Sequence, residues 1–263
     1  MDFHPVEANL RQSFRVLAVG RPGGDARELP GITLASLGVA FQMFNAAFFN
    51  SSISTAQELE ERLTRASDHF RARRLRWALW VCEDWLEPSV RRRLSQTCEK
   101  FGLRLSSDMP GMLARVPPRG LKRPLPQLDY RRVDSRRTLD DFRGIGSVCF
   151  HVPLQWFSEV FDESVPAERP GFTCWVAYLD GLPVATAASV PSEEAIGLYN
   201  IATAPEHRGR GFAEAITRHV IEAAGTGERS KPFVLQSTPQ GFRLYERLGF
   251  DTVTRILVYN STQ

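Results

Sequence analysis

The 263-residue chain has no long hydrophobic run; its longest apolar stretch, Val39 to Phe49, is interrupted by Gln42 and Asn45. Such a stretch is too short to cross a bilayer, so no membrane association is expected. A secretory leader is not expected either, because Met1-Asp-Phe-His-Pro5 has no basic start and no apolar segment behind it. Cysteine is scarce: Cys82, Cys98, Cys149 and Cys174 are far apart and lack metal-type spacing. They read as reduced thiols of a cytoplasmic protein rather than a disulfide framework. The five histidines are equally scattered, so no metal site is expected. A net charge of +3 is too small to imply a nucleic-acid partner. What remains, 43% apolar and 24% charged residues, is the composition of an ordinary soluble globular protein.

Four prolines crowd into Val116-Pro-Pro-Arg-Gly-Leu-Lys-Arg-Pro-Leu-Pro126. Proline removes a backbone donor and fixes φ, so neither a helix nor a central strand fits here. This basic, stiff linker divides the chain into segments 1–120 and 127–263.

In the second segment strands are expected over Leu128 to Val133, Phe172 to Leu179, Val184 to Val190, Ile196 to Thr203, Phe233 to Ser237 and Val253 to Tyr259. Asp180-Gly181 is a hairpin signal. Helices are expected over Leu139 to Cys149, Leu154 to Phe161 and Gly211 to Ala224, the last with Ile216, Val220 and Ala223 on one face. The first segment shows a quieter pattern. Val39 to Phe49 reads as a strand, Thr55 to Arg73 as a helix, Arg76 to Cys82 as a strand and Pro88 to Phe101 as a helix.

The most informative stretch is Asn200-Ile-Ala-Thr-Ala-Pro-Glu-His-Arg-Gly-Arg-Gly-Phe-Ala-Glu214. A strand stops at a proline, a glycine-rich turn follows, and a helix begins. Small residues in Arg208-x-x-Gly211-x-Ala213 let backbone N–H groups approach a ligand, and the helix dipole adds partial positive charge. Together they make a phosphate cradle, to which Arg208 and Arg210 add charge unless their side chains are solvated.

A second motif follows the next strand: Thr238-Pro-Gln-Gly-Phe-Arg-Leu-Tyr-Glu-Arg-Leu-Gly-Phe250. The pair resembles the two hallmarks of the GNAT acetyltransferase superfamily, in order and at the right separation, over about residues 127 to 263. The first hallmark, Arg/Gln-x-x-Gly-x-Gly/Ala, is matched by Arg208, Gly211 and Ala213. In the second, Tyr245, Gly249 and Phe250 match, while Thr238 replaces Asn and Gly241 replaces Ala. The resemblance implies an α/β fold with a mixed sheet (α+β) in the C-terminal segment, and acetyl transfer from acetyl-CoA to an amine acceptor, a small molecule or a peptide. Backbone groups of Arg208, Gly209, Arg210, Gly211, Phe212 and Ala213 would hold the pyrophosphate. Ile201, Ala202 and Thr203 would meet the pantetheine and thioester, with the Ile201 N–H on the carbonyl. Tyr245 matches the tyrosine that protonates the departing thiolate. Thr238 offers a hydroxyl to the cofactor, and Asn200 or Tyr199 is a candidate for relaying a proton through water. Asp162 and Glu163 are candidates for attracting a cationic amine. A direct ternary mechanism is expected because no cysteine lies near either motif in the sequence, and a homo-oligomer is open. The alternative is an acyl-CoA-binding pseudoenzyme or an interaction module without turnover.

Thr97-Cys-Glu-Lys-Phe-Gly-Leu103 can be laid over Leu244-Tyr-Glu-Arg-Leu-Gly-Phe250. The first segment is then a degenerate GNAT-like α/β copy, or else an accessory domain whose strand-helix units merely end alike. As a copy it is expected to be inactive. Its strand-to-helix turn, Asn50 to Thr55, has no glycine, and Cys98 stands at the tyrosine position.

Overall fold

The computed structural model describes residues 2–19, 21–115, 124–162, 171–225 and 231–262. Most of the linker expected over 116–126 lies outside them. In the first half run α1 (His4–Ala18), β1 (Asp25–Leu29), β2 (Ile32–Ser36), β3 (Asn45–Phe49), α2 (Ala56–Ala72), β4 (Ala78–Cys82), α3 (Pro88–Arg91), α4 (Leu94–Lys100) and β5 (Leu103–Ala114). In the second half run β6 (Asp129–Arg132), α5 (Arg136–Phe150), α6 (Leu154–Val160), β7 (Thr173–Leu179), β8 (Leu182–Pro191), β9 (Ile196–Thr203), α7 (Phe212–Ala224), β10 (Phe233–Gln236), α8 (Phe242–Leu248) and β11 (Asp251–Ser261).

All eleven strands form one mixed sheet in the order β1-β2-β3-β4-β11-β5-β10-β9-β8-β7-β6. A like succession occurs twice: a hairpin, a third strand, a helix, a parallel strand, a short helical segment (two helices, α3 and α4, in the first half and one, α8, in the second) and a long last strand. It runs from β1 to β5 and again from β7 to β11. The last strands interleave. β11 pairs with β4 of the first half, and β5 pairs with β10 of the second. The two also pair antiparallel with each other along most of their length. No break in the sheet marks the boundary between the halves.

The alternation of side chains divides the core between the two faces of the sheet. On one face Leu59, Leu63 and Phe70 of α2 and Leu94 of α4 cover the first half. On the same face Phe212, Ile216 and Val220 of α7 and Leu248 of α8 cover the second. On the other, Phe142, Phe157 and Phe161 from α5, α6 and the residue after it form one cluster, and Leu10 and Phe14 of α1 another. α1 belongs to the first half but crosses β9 at Gly197, where a Cβ would run into the Asn9 side chain. The Asn9 amide is fully buried and donates to the Val190 and Ala195 carbonyls, while its oxygen accepts from the Tyr199 hydroxyl at 2.7 Å.

Local chemistry explains the turns. Asp180 and Gly181, both at positive φ, close the β7–β8 hairpin as expected from the sequence. The strand expected over Val39 to Phe49 is cut to β3. Gln42–Phe44 forms a 3-10 turn, and the Asn45 side chain ties it back by donating to the Val39 carbonyl (2.8 Å) and accepting from the Gly38 N–H (3.1 Å). The helix expected over Pro88 to Phe101 is split into α3 and α4. No helix among the described residues is long and apolar enough to cross a membrane.

Candidate active site

β9 and β10 run parallel, but only Ile196–Phe233 and Gly197–Val234 are paired. Beyond Gly197 the strands splay. On its other edge β9 carries a register shift against β8, which leaves Asn200 and Ile201 outside the ladder. Asn200 sits there at φ 50°, a left-handed conformation that asparagine tolerates better than most residues. Its carbonyl is anchored by the Thr186 hydroxyl at 2.9 Å.

β9 leads into Pro205–His207 and then into two residues that need glycine. Gly209 has φ 77° and Gly211, which caps α7, has φ 87°. Among the described residues no side chain caps the α7 N-terminus, so its first N–H groups are left without a capping partner. The one acid of its first turn, Glu214, is bonded to Arg218 at 3.0 Å.

The splay, the turn and the start of α8 enclose a cavity of about 680 Å³. Of the residues expected from the sequence, Asn200, Ile201, Ala202, Thr203, Arg208, Gly209, Gly211, Phe212, Ala213, Thr238 and Tyr245 line it. Arg210 does not. Its guanidinium lies 5.0 Å over the Phe212 ring and 3.2 Å from His207 Nδ1. Arg208 is exposed at the rim, with Nε donating to the Thr203 carbonyl at 3.3 Å.

Tyr245 is 7% exposed and packs edge-on against Phe250. Burial raises its phenol pKa, so the hydroxyl stays protonated at neutral pH. Among the described residues that hydroxyl has no hydrogen-bond partner, and it borders the cavity. Gly241 explains the close seating of the ring: a Cβ there would lie 2.9 Å from Tyr245 Cε2. The Thr238 hydroxyl accepts from the Gly241 N–H at 3.3 Å, which ties it to the turn before α8.

Several lining residues were not expected from the sequence, and two of them bear on the chemistry. Gln236 ends β10 at the splay, and its Nε2 is buried without a partner, as is the Thr203 hydroxyl on the facing strand. Polar atoms buried unbonded are costly, and two of them facing one groove suit a ligand rich in amide groups. The second is Cys149, near the end of α5. The expectation that no cysteine approaches the motifs is corrected here: its Sγ donates to the Thr203 carbonyl at 3.2 Å. The helix folds back over β9 and brings in a residue 54 positions away. Burial raises the Cys149 pKa, and Arg208 opposes the shift.

Asp162, expected to attract an amine, has its carboxylate 3.4 Å from Arg21. Glu163 lies outside the described residues.

The corresponding place in the first half is filled by the protein itself. The Thr55 hydroxyl caps α2 at the Glu58 N–H, and Glu58 accepts from the N–H groups of Ser54 and Thr55. A carboxylate therefore occupies the anion position. Ile53 bridges to Leu86, closing the gap between β3 and β4 beyond their three register pairs. The Arg62 guanidinium donates to the Gly31, Ser51 and Ser52 carbonyls. Cys98, laid over Tyr245 by sequence, is fully buried among apolar side chains. Thr55→Ala should cost about 1 kcal/mol of stability through the lost cap and leave acetyl-CoA affinity unchanged. Thermal unfolding and calorimetry read the two effects separately; a tenfold loss of affinity would make this turn a second ligand site.

Residues 170–252 match the family model for the Acetyltransferase (GNAT) domain. Among curated proteins no sequence relative matches the chain. Its fold is shared with a GCN5-related N-acetyltransferase from Kribbella flavida at 16% identity and a TM-score of 0.73, over 98% of this chain and 96% of that one. A functionally unknown conserved protein from Staphylococcus epidermidis is similar over 90% of this chain and 94% of its own, with 13% identity and a TM-score of 0.66. A GCN5-related N-acetyltransferase from Sphaerobacter thermophilus covers 88% and 76% at 14% identity and a TM-score of 0.53.

Proposed function

We propose that this chain, which carries a GNAT domain in its C-terminal half, transfers an acetyl group from acetyl-CoA to an amine in a direct ternary complex. The observation that supports it is convergence. An open helix N-terminus, a splayed pair of strands and an unbonded tyrosine hydroxyl all border one cavity.

The N–H groups at the start of α7 hold the pyrophosphate, where the helix dipole favours anions. The pantetheine lies along the splay, with Gln236 and Thr203 supplying donors to its amide carbonyls. The Ile201 N–H polarises the thioester carbonyl, so that charge developing on oxygen meets a fixed donor. The amine enters from the α5–α6 face. Its nitrogen forms a bond to the carbonyl carbon and the C–S bond breaks. Tyr245 gives its proton to the departing sulfur and recovers one from water, and the amine loses its proton to water.

Cys149 plays no covalent part in this scheme. Its raised pKa keeps thiolate scarce at neutral pH, so alkylation should be slow there and quicken as pH rises. Acetyl-CoA should protect it, and Cys149→Ala should keep most of the turnover. Mass spectrometry of the alkylated chain checks the first point. An inactive, folded alanine variant would instead demand an acyl-cysteine.

The rival reading is a protein that binds acyl-CoA without turnover. It is favoured by Glu214, the one carboxylate among the described residues lining the cavity, being held by Arg218. Thiol release from acetyl-CoA across a panel of amines decides between them. Binding by calorimetry with no release from any amine class would sink the enzyme reading.

A further inference from the structure

α6 is two turns long, and its last carbonyls need partners that the helix cannot supply. They are met largely from the other half of the chain. Arg21, between α1 and β1, donates from Nη1 to the Val160 carbonyl at 3.1 Å and from Nη2 to the Glu159 carbonyl. Its Nη1 also lies 3.4 Å from the Asp162 carboxylate, and its side chain is 9% exposed. A cation at a helix C-terminus is favoured by the dipole. Two further contacts reach α6 from the first half. The Ala40 N–H donates to Glu159 Oε2 at 3.2 Å, and the Phe41 ring stacks on Trp156 with centroids 5.8 Å apart. From the same half as α6, Arg143 Nε takes the Phe161 carbonyl at 2.7 Å.

α6 in turn backs the cavity. Phe157 packs so closely over Gly146 of α5 that a Cβ there would run into its ring. It also stacks nearly parallel, at 7°, on Phe150, a lining residue beside Cys149. A continuous chain of contacts therefore runs from Arg21 through α6 and Phe157 to Phe150.

We infer that Arg21 is a positioning residue for the acceptor: by gripping the C-terminal end of α6 from the first half, it fixes Phe157 and Phe150 as the wall against which the amine is aimed. This rests on the acetyl-transfer reading above. It gives the catalytically silent half a defined task, with no contact to acetyl-CoA.

The test uses the full chain with Arg21→Met, Arg21→Lys and Phe41→Ala, and an amine that the parent acetylates. Arg21→Met should lower kcat/KM for the amine by about 10- to 100-fold, the size expected when a reactant is misplaced by a fraction of an ångström to one ångström. The affinity for acetyl-CoA should stay within about twofold, since among the described residues neither Arg21 nor any residue of α6 lines the cavity. Lysine, which keeps a cation and three donors, should restore part of the loss. Hydrogen exchange should quicken in the amides of α6 and remain at the parent level in α7. This readout needs no turnover, so it still decides the inference if no amine proves to be a substrate. A folded Arg21→Met chain with parent kcat/KM or parent exchange in α6 overturns it. Equal losses of acetyl-CoA affinity and amine turnover also overturn it, because they mark a general structural role. If Arg21→Met does not fold, Phe41→Ala carries the same decision by the same measurements.

Discussion

Gly211→Glu should weaken acetyl-CoA binding by about 100-fold or more while leaving a folded protein. Gly211 holds φ at 87°, where a side chain strains the backbone by about 1–2 kcal/mol. The new carboxylate would stand at the α7 N-terminus, which attracts it, so part of that strain is offset. The same attraction puts it where the pyrophosphate must sit. In the first half a carboxylate makes comparable contacts from the third helical position: Glu58 accepts from the Ser54 and Thr55 N–H groups at the start of α2. Losing two charge-assisted hydrogen bonds of about 1.5–3 kcal/mol each raises Kd by about 100-fold or more. Calorimetry on the folded variant reads this directly. An unchanged affinity would remove the turn after β9 from the binding site and leave the cavity without its anion end.

The cradle was legible in the sequence because backbone geometry there is written in residue type. Positive φ at two positions calls for Gly209 and Gly211, and the spacing to Tyr245 follows one continuous β9–α7–β10–α8 path. Elements with clear periodicity, such as α2 and α7, were also legible to within a residue or two. β5 was not. It contains Pro110 and Gly111, alternates poorly in burial, and is held by partners more than a hundred residues away in β10 and β11. α1 was missed although Val6, Leu10, Phe14 and Leu17 recur at helical spacing; the polar Glu7, Asn9 and Ser13 share its buried face and interrupt the apolar pattern. Cys149 and Gln236 reach the cavity only through tertiary packing. Gln236 left one local signal, a polar residue closing the apolar run Phe233-Val-Leu235. The overlay of Thr97 to Leu103 on Leu244 to Phe250 pointed to a repeated order of elements. It carried no trace of the interleaving of β5 and β11, because strand partners are set by the whole sheet and not by either segment.

Tyr245→Phe should lower turnover by about 10²- to 10⁴-fold, the usual contribution of a positioned proton donor. Acetyl-CoA affinity should change little. The hydroxyl acts only when charge develops on sulfur, so its loss belongs to the transition state and appears in kcat. Burial holds the phenol protonated at neutral pH, and no described residue competes for its proton. The ring is fixed by Phe250 on one side and by the missing Cβ of Gly241 on the other, so phenylalanine fits the same space. Removing an oxygen that bonds to none of the described residues leaves none of them unsatisfied, and thermal unfolding should stay near the parent. A tyrosine with only a packing role predicts parent stability together with normal turnover per folded molecule. A folded phenylalanine variant that turns over at the parent rate would transfer the role of acid to water and leave Tyr245 as a packing residue of α8.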